Sequence, residues 1–308
     1  MTLIKRYAIE PAALRRWEDF RYVMEKMSFS DGKVLVAFPK KWIKDFLDGL
    51  GQIGDIERQR FVTKLQRYKE DRMIESGSPY FKELQWVDNA LRVIKENKVE
   101  AVLVSELTKT KNSTLSLPTP ADVDEEFFSG AREIRCSNTA DNLLEPAKIF
   151  LESSVEAIFI DPYFKITSLN CLHVLNEFVR YSTEATYCFN FIIYTSCDFM
   201  PKGGYADVSK YFDNNLSRCS CKGFKILINF ISNETSKQSF HARYLLTQRG
   251  GLRYDKGFQI GNPPVLVDIS LLDKNMHYDL YSLYFLYSLY SEKRADLKIN
   301  ESFTWIAK

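Results

Sequence analysis

His241, Arg243 and the glycines behind them are the residues whose types and spacing suggest chemistry. In FHARYLLTQRGGLRYDKGFQIGN, residues 240–262, a histidine at the mouth of an apolar run is followed two positions later by an arginine, then by Gly250-Gly251 and by Gly257. The chain has only three histidines. An imidazole beside a guanidinium proposes phosphate chemistry or phosphate binding, because a planar guanidinium offers a bidentate fork to phosphate oxygens. Each residue also has a plainer reading. A histidine at a strand start is often a hydrogen-bonded boundary residue, and Gly250, Gly251 and Gly257 read as turn residues needing positive φ.

Elements must place these groups. Residues 139–153 predict a helix with Thr139 or Ser137 as its cap. A short apolar strand, 156–160, follows and is ended by Asp161-Pro162-Tyr163-Phe164. A helix over 167–181, strands at 188–195 and 224–231 with a helix between them at 207–216, then strands at 241–247 and 265–269 and a last helix at 276–292 complete the order. Strands alternating with helices argue for an α/β layered sheet. Such sheets gather ligands where strand ends open into a crevice, so Asp161, Tyr163, Thr195, Ser196 and Asp198 are candidate rim residues. Asp161 could equally do no more than terminate its strand. His241 begins its own strand, so it reaches that rim only if the strand runs antiparallel.

The first half reads as helix-rich. Helices are expected over 10–27, 40–50, 55–74 and 80–94, with strand-like runs at 34–38 and 99–104. The third helix carries Arg58, Arg60, Lys64, Arg67, Lys69 and Arg72 against Asp55, Glu57, Glu70 and Asp71. It is either a solvated face with i,i+4 ion pairs or a contact for nucleic acid or a protein partner. A polar, proline-containing stretch, 108–124, precedes the expected domain boundary at 125–135, giving a helix-rich α/β domain over 1–130 and a second domain over 131–308. The last helix repeats Leu-Tyr every third residue from Leu280 to Tyr290. A period of three drifts around a 3.6-residue helix, so apolar groups appear on nearly every side, and burial between the domains or a homodimer contact must cover them.

Composition bounds the function classes. At 308 residues, 45% hydrophobic and 27% charged, the chain is long enough for two cores, and a net charge of +2 gives no bulk basic field. Any nucleic-acid contact must therefore be a local patch. The first twenty residues lack an apolar segment followed by small residues, and no run approaches eighteen apolar residues, so a cytoplasmic protein is expected and a membrane partner less so. Six cysteines without paired CxxC spacing read as reduced thiols, not as a zinc site, and neither metal nor cofactor is expected. Phosphate loops, dinucleotide fingerprints, nucleophile elbows and HExxH are missing, which excludes motif support for motors, dehydrogenases, serine hydrolases and zincins.

The run from His241 to Gly257 resembles the signature strand of the phospholipase D superfamily, whose members carry His-x-Lys, four residues, an Asp, and then a Gly followed by Ser or Asn. The DPYF element resembles the opening of phospholipase D-like domains in bacterial proteins, and the resemblance covers roughly residues 135–292. Here Arg243 stands at the lysine place and Gln248 at the aspartate place, Gly257 falls two positions late, and Asn262 is the candidate for the Ser/Asn place. The His-x-Arg, Gly-rich variant looks closer to the phospholipase D-like C-terminal domain of MIT-domain proteins, whose family role is to bind acidic phospholipid. The resemblance implies a mixed sheet flanked by helices. It also implies one of two functions. The first is a phosphodiesterase, a metal-independent nuclease in bacterial anti-phage defence or nucleic-acid processing, with His241 as nucleophile and Arg243 holding the phosphate. Such an enzyme needs a second histidine, and neither His173 nor His277 has a Lys or Arg two residues on, so a homodimer would have to pair two copies of His241. The second is a catalytically silent module in which Arg243, Asp161, Tyr163, Gln248 and Asn262 hold a nucleic acid, an anionic lipid or another protein.

Overall fold

A computed structural model describes residues 2–106, 108–109, 116–186, 188–216, 221–232, 241–289 and 299–307. Phe240, Cys219, most of the 108–124 stretch before residue 116 and the end of the last expected helix, 290–292, lie outside the described residues. The fold is α/β and divides into two compact units, Leu3–Arg132 and Glu133–Lys308.

The first unit is built on a parallel four-stranded sheet, β1 (Lys5–Ile9), β2 (Lys33–Ala37), β3 (Met73–Glu75) and β4 (Ala101–Leu103), in the order β3-β2-β1-β4. Four α-helices connect the strands: α1 (Trp17–Lys26), α2 (Trp42–Gly49), α3 (Asp55–Arg72) and α4 (Trp86–Lys95). Alternation along the strands sends Tyr7, Ile9 and Leu35 to a core with Phe20, Trp42, Phe46 and Phe61, and sends Ala8, Val36 and Val102 to a second core with Ala90 and Val93 of α4. The expected single helix over 10–27 is instead a 3-10 turn, Pro11–Leu14, followed by α1, so the chain bends at Arg15-Arg16. Residues 73 and 74, expected in the third helix, pair as β3 with Leu35 and Val36. Tertiary pairing overrode their helical spacing.

The second unit carries a mixed eight-stranded sheet. Two two-residue strands of the first unit, β5 (Thr108–Lys109) and β6 (Ser116–Leu117), precede it in the chain. Its strands are β7 (Glu133–Ser137), β8 (Glu156–Ile160), β9 (Asn190–Ser196), β10 (Lys225–Ile231), β11 (Tyr244–Thr247), β12 (Gly250–Tyr254), β13 (Leu266–Leu271) and β14 (Ile299–Ile306), in the order β14-β10-β9-β8-β11-β12-β13-β7. β8, β9 and β10 are parallel, and every other neighbouring pair is antiparallel. The expected helix over 139–153 is α5 (Ala140–Leu144) and α6 (Lys148–Glu152) with a 3-10 turn at Pro146 between them, and Thr139 Oγ1 accepts from Asn142 N at its start. Next come α7 (Leu169–Ala185), α8 (Gly204–Asn215) and α9 (Lys274–Leu289).

One sheet face packs on aromatic residues, with Phe159 against Phe178 of α7 and Trp305 against Phe212 of α8. The other face, Ile158, Ile160, Ile192, Tyr194, Ile231 and Leu246, lies under α9, where Tyr284 is buried and Leu280, Tyr281, Leu283 and Phe285 are half-buried. Tyr194 OH donates to Tyr284 O at 2.7 Å, fixing the helix to the sheet. The first two Leu-Tyr doublets thus cover the sheet of their own unit, although Tyr278, just before them, stays 70% exposed. The described residues contain no helix long and apolar enough to cross a membrane.

Candidate functional site

β11 runs antiparallel to β8, with Tyr244 opposite Ile160. One further step brings Arg243 beside Asp161, at the end of the sheet where the parallel strands terminate. This orientation was the missing condition for joining the two halves of the predicted site.

Asp161 is buried, yet both carboxylate oxygens are engaged. Oδ1 accepts from Tyr163 N at 2.9 Å, closing the Asp-Pro-Tyr turn, and Oδ2 accepts from Phe258 N at 3.0 Å. Arg243 Nε lies 3.8 Å from Oδ1, Arg243 Nη1 donates to Asp255 O, and the guanidinium sits 4.8 Å from the Tyr163 ring centroid. Burial pushes the Asp161 carboxyl above its usual range, while the two backbone donors and Arg243 pull it back. Asp161 therefore ties three segments together: the turn after β8, the start of β11 and the loop after β12.

Gly257 makes this closeness feasible. Its φ is +73°, and a Cβ there would fall on Asp161 Oδ2 and lie 2.7 Å from Arg243 Cδ. Gly250 and Gly251 differ from the expectation. They lie within β12, outside the positive-φ residues, and Gly251 is needed because a Cβ would meet Leu246 and Leu272 at 2.8 Å. The requirement there is packing, not turn geometry.

His241 is exposed and three residues upstream of β11, so it does not begin the strand as expected. Gln248 is exposed in the tight turn between β11 and β12, about 16 Å of extended chain from Arg243 and at the opposite end of the sheet. It does not join the rim, and the carboxylate beside Arg243 comes from Asp161. Asn262 is exposed on the β12–β13 connection, which Asn138 anchors by accepting from Val265 N at 2.8 Å and donating to Gln259 O. Thr195 is buried and donates to Phe164 O, and Ser196 Oγ accepts from Asp198 N, so these residues shape the rim. Phe199 is an unforeseen member, its ring 6.5 Å from Tyr163, and so is Asp255 through its carbonyl. No local pattern marks either one.

A second place where such folds gather ligands is the strand-order reversal between β1 and β4 of the first unit. Glu10 spans it, accepting from both Ser105 N and Ser105 Oγ at 2.7 Å. Four of the six basic residues of α3 make contacts within the unit. Arg58 and Arg72 donate to Leu47 O and Met24 O, and Arg60 and Lys64 lie over the rings of Trp17 and Tyr68. Among the described residues no group of three or more His, Cys, Asp or Glu is placed to hold a metal ion. The Cys188 thiol is pushed up to about 12 by burial, far from a reactive thiolate at neutral pH.

No family model matches the chain, and no curated protein matches it. Among solved structures, the archaeal chromatin protein TrmBL2, described as showing a novel mode of DNA binding, aligns over 83% of this chain and 69% of its own at 10% identity, with a TM-score of 0.27. A likeness at that level carries no inference about fold or function.

Proposed function

We propose that the second unit is a phospholipase D-like module that binds phosphate groups of a partner without cleaving them. The observation that supports this reading is the Asp161–Arg243–Tyr163 arrangement. The guanidinium is held in place by a carboxylate, a carbonyl and an aromatic face, and a quarter of its side chain remains exposed at the rim. Preorganised guanidinium of this kind is suited to phosphate oxygens. Hydrolysis by this superfamily's route asks for two histidines around one phosphorus. The described rim supplies His241 alone: His277 lies at the opposite end of the sheet, donating to Thr247 O, and His173 is within α7. A cytoplasmic setting fits this reading.

Calorimetric titration with inorganic tripolyphosphate tests it. Wild type is expected to bind, and Arg243→Gln to bind at least tenfold more weakly; equal binding by both removes the site. Labelled DNA and RNA incubated in EDTA provide the second arm. Cleavage that disappears in His241→Ala would replace the binding reading with the nuclease one.

A further inference from the structure

β14 is an eight-residue edge strand, Ile299-Asn-Glu-Ser-Phe-Thr-Trp-Ile306. One edge pairs with β10 along its length, and no described strand pairs with the other. Exposed edges are usually blunted by Lys, Pro, strong bulges or short length, because their free N–H and C=O groups template association. Of the residue devices β14 has a single charge. It contains no Lys, Pro or Gly, and its register is regular from Glu301 to Ile306, the only shift falling at the Phe230/Ile231 end. Its single charge, Glu301, is hydrogen-bonded by the Tyr205 hydroxyl of its own unit. Ile306 is 48% exposed at the strand's end, and Phe189 and Val155, which precede the neighbouring β9 and β8 at that same end, are also exposed.

We propose that β14 pairs with β14 of a second copy, antiparallel and centred on Phe303, making one continuous sheet across a two-fold axis. The strand's own sequence argues for this occupant. That register sets Ser302 opposite Thr304, a cross-strand pair able to hydrogen-bond, and Glu301 opposite Trp305, so no like charges face each other. A closed two-fold contact uses the same strand twice and leaves no β14 edge open. The inference has a consequence for catalysis. A two-fold axis normal to the sheet reverses the strand direction, so the two rims stand at opposite ends of the joined sheet. From β11 to the axis is four and a half strand spacings, which separates the two copies of His241 by more than about 40 Å. This dimer cannot assemble a two-histidine centre.

Sedimentation velocity on the full chain, from low to high micromolar concentration, is the test. A dimer is expected, and Thr304→Lys with Ile306→Lys, both at exposed side chains, should shift its dissociation constant at least tenfold while leaving the circular dichroism melt unchanged. Ser302→Cys combined with Thr304→Cys should give a reducible cross-linked dimer on mild oxidation, beyond any formed by wild type. A monomer at every concentration, or a dimer indifferent to the lysine pair and to the cysteine pair, would overturn the proposal.

Discussion

Gly257 and Asp161 make the rim a single unit of structure, and a change at either should be felt at the other. Gly257→Ala must place a Cβ on the Asp161 carboxylate at a left-handed φ, whereas Gly204→Ala has the same kind of φ, +59°, with nothing within 4 Å. The left-handed conformation alone costs about 1–2 kcal/mol for an L residue. We expect Gly204→Ala to lose about that much in urea unfolding. Gly257→Ala should lose more and should also weaken tripolyphosphate binding, because Arg243 and Phe258 N are both displaced. Equal losses for the two variants, with binding retained, would separate Gly257 from the site.

α9 connects packing to pH. His277, half-buried on its first turns, donates from Nε2 to Thr247 O at 2.8 Å and stacks on Tyr281, and burial holds its pKa below the ordinary value near 6.5. The folded state then binds fewer protons than the unfolded chain around that value, so stability is present above about pH 6.5 and is lost as pH falls below it. The groups that face this end of the helix include Glu156, whose carboxyl burial pushes up, and Tyr281, pushed up to about 12. Thermal unfolding followed from pH 7.5 to 5 should show the decline, and His277→Gln, which keeps a donor for Thr247 O, should flatten it. An unchanged slope in the variant would place the titrating group elsewhere.

For the molecule, two compact units imply two cooperative transitions. Phe20 is fully buried among Phe46, Phe61 and Tyr68 of the first unit, and Tyr284 is buried over the second unit's sheet. Replacing either by Ala should cost about 3–5 kcal/mol. Scanning calorimetry is expected to show Phe20→Ala lowering one transition and Tyr284→Ala the other. A single transition moved by both variants would show that the units unfold together.

Much of the architecture was readable along the chain. Runs such as FIIYT and KILINF announce buried strands because their side chains are apolar on both faces, and Thr139 announces a helix start because its hydroxyl satisfies an orphan N–H. Asp161 was legible as a candidate rim residue and Arg243 as a candidate phosphate holder. What stayed hidden depends on partners distant in sequence. β7, β12 and β14 are stabilised by pairing, not by an apolar run, and Gly250-Gly251 mimics a turn until Leu246 and Leu272 are seen pressing on it. The carboxylate beside Arg243 could not be read from spacing, since Gln248 is near in sequence but at the far end of a strand, while Asp161 is 82 residues earlier and one strand away. Sequence alone determined which segments prefer to be strands or helices, because those preferences are local. The antiparallel pairing of β11 with β8 was decided only by the tertiary structure, because cross-strand hydrogen bonds and packing choose register and direction, and that choice brought a cation and a buried acid together.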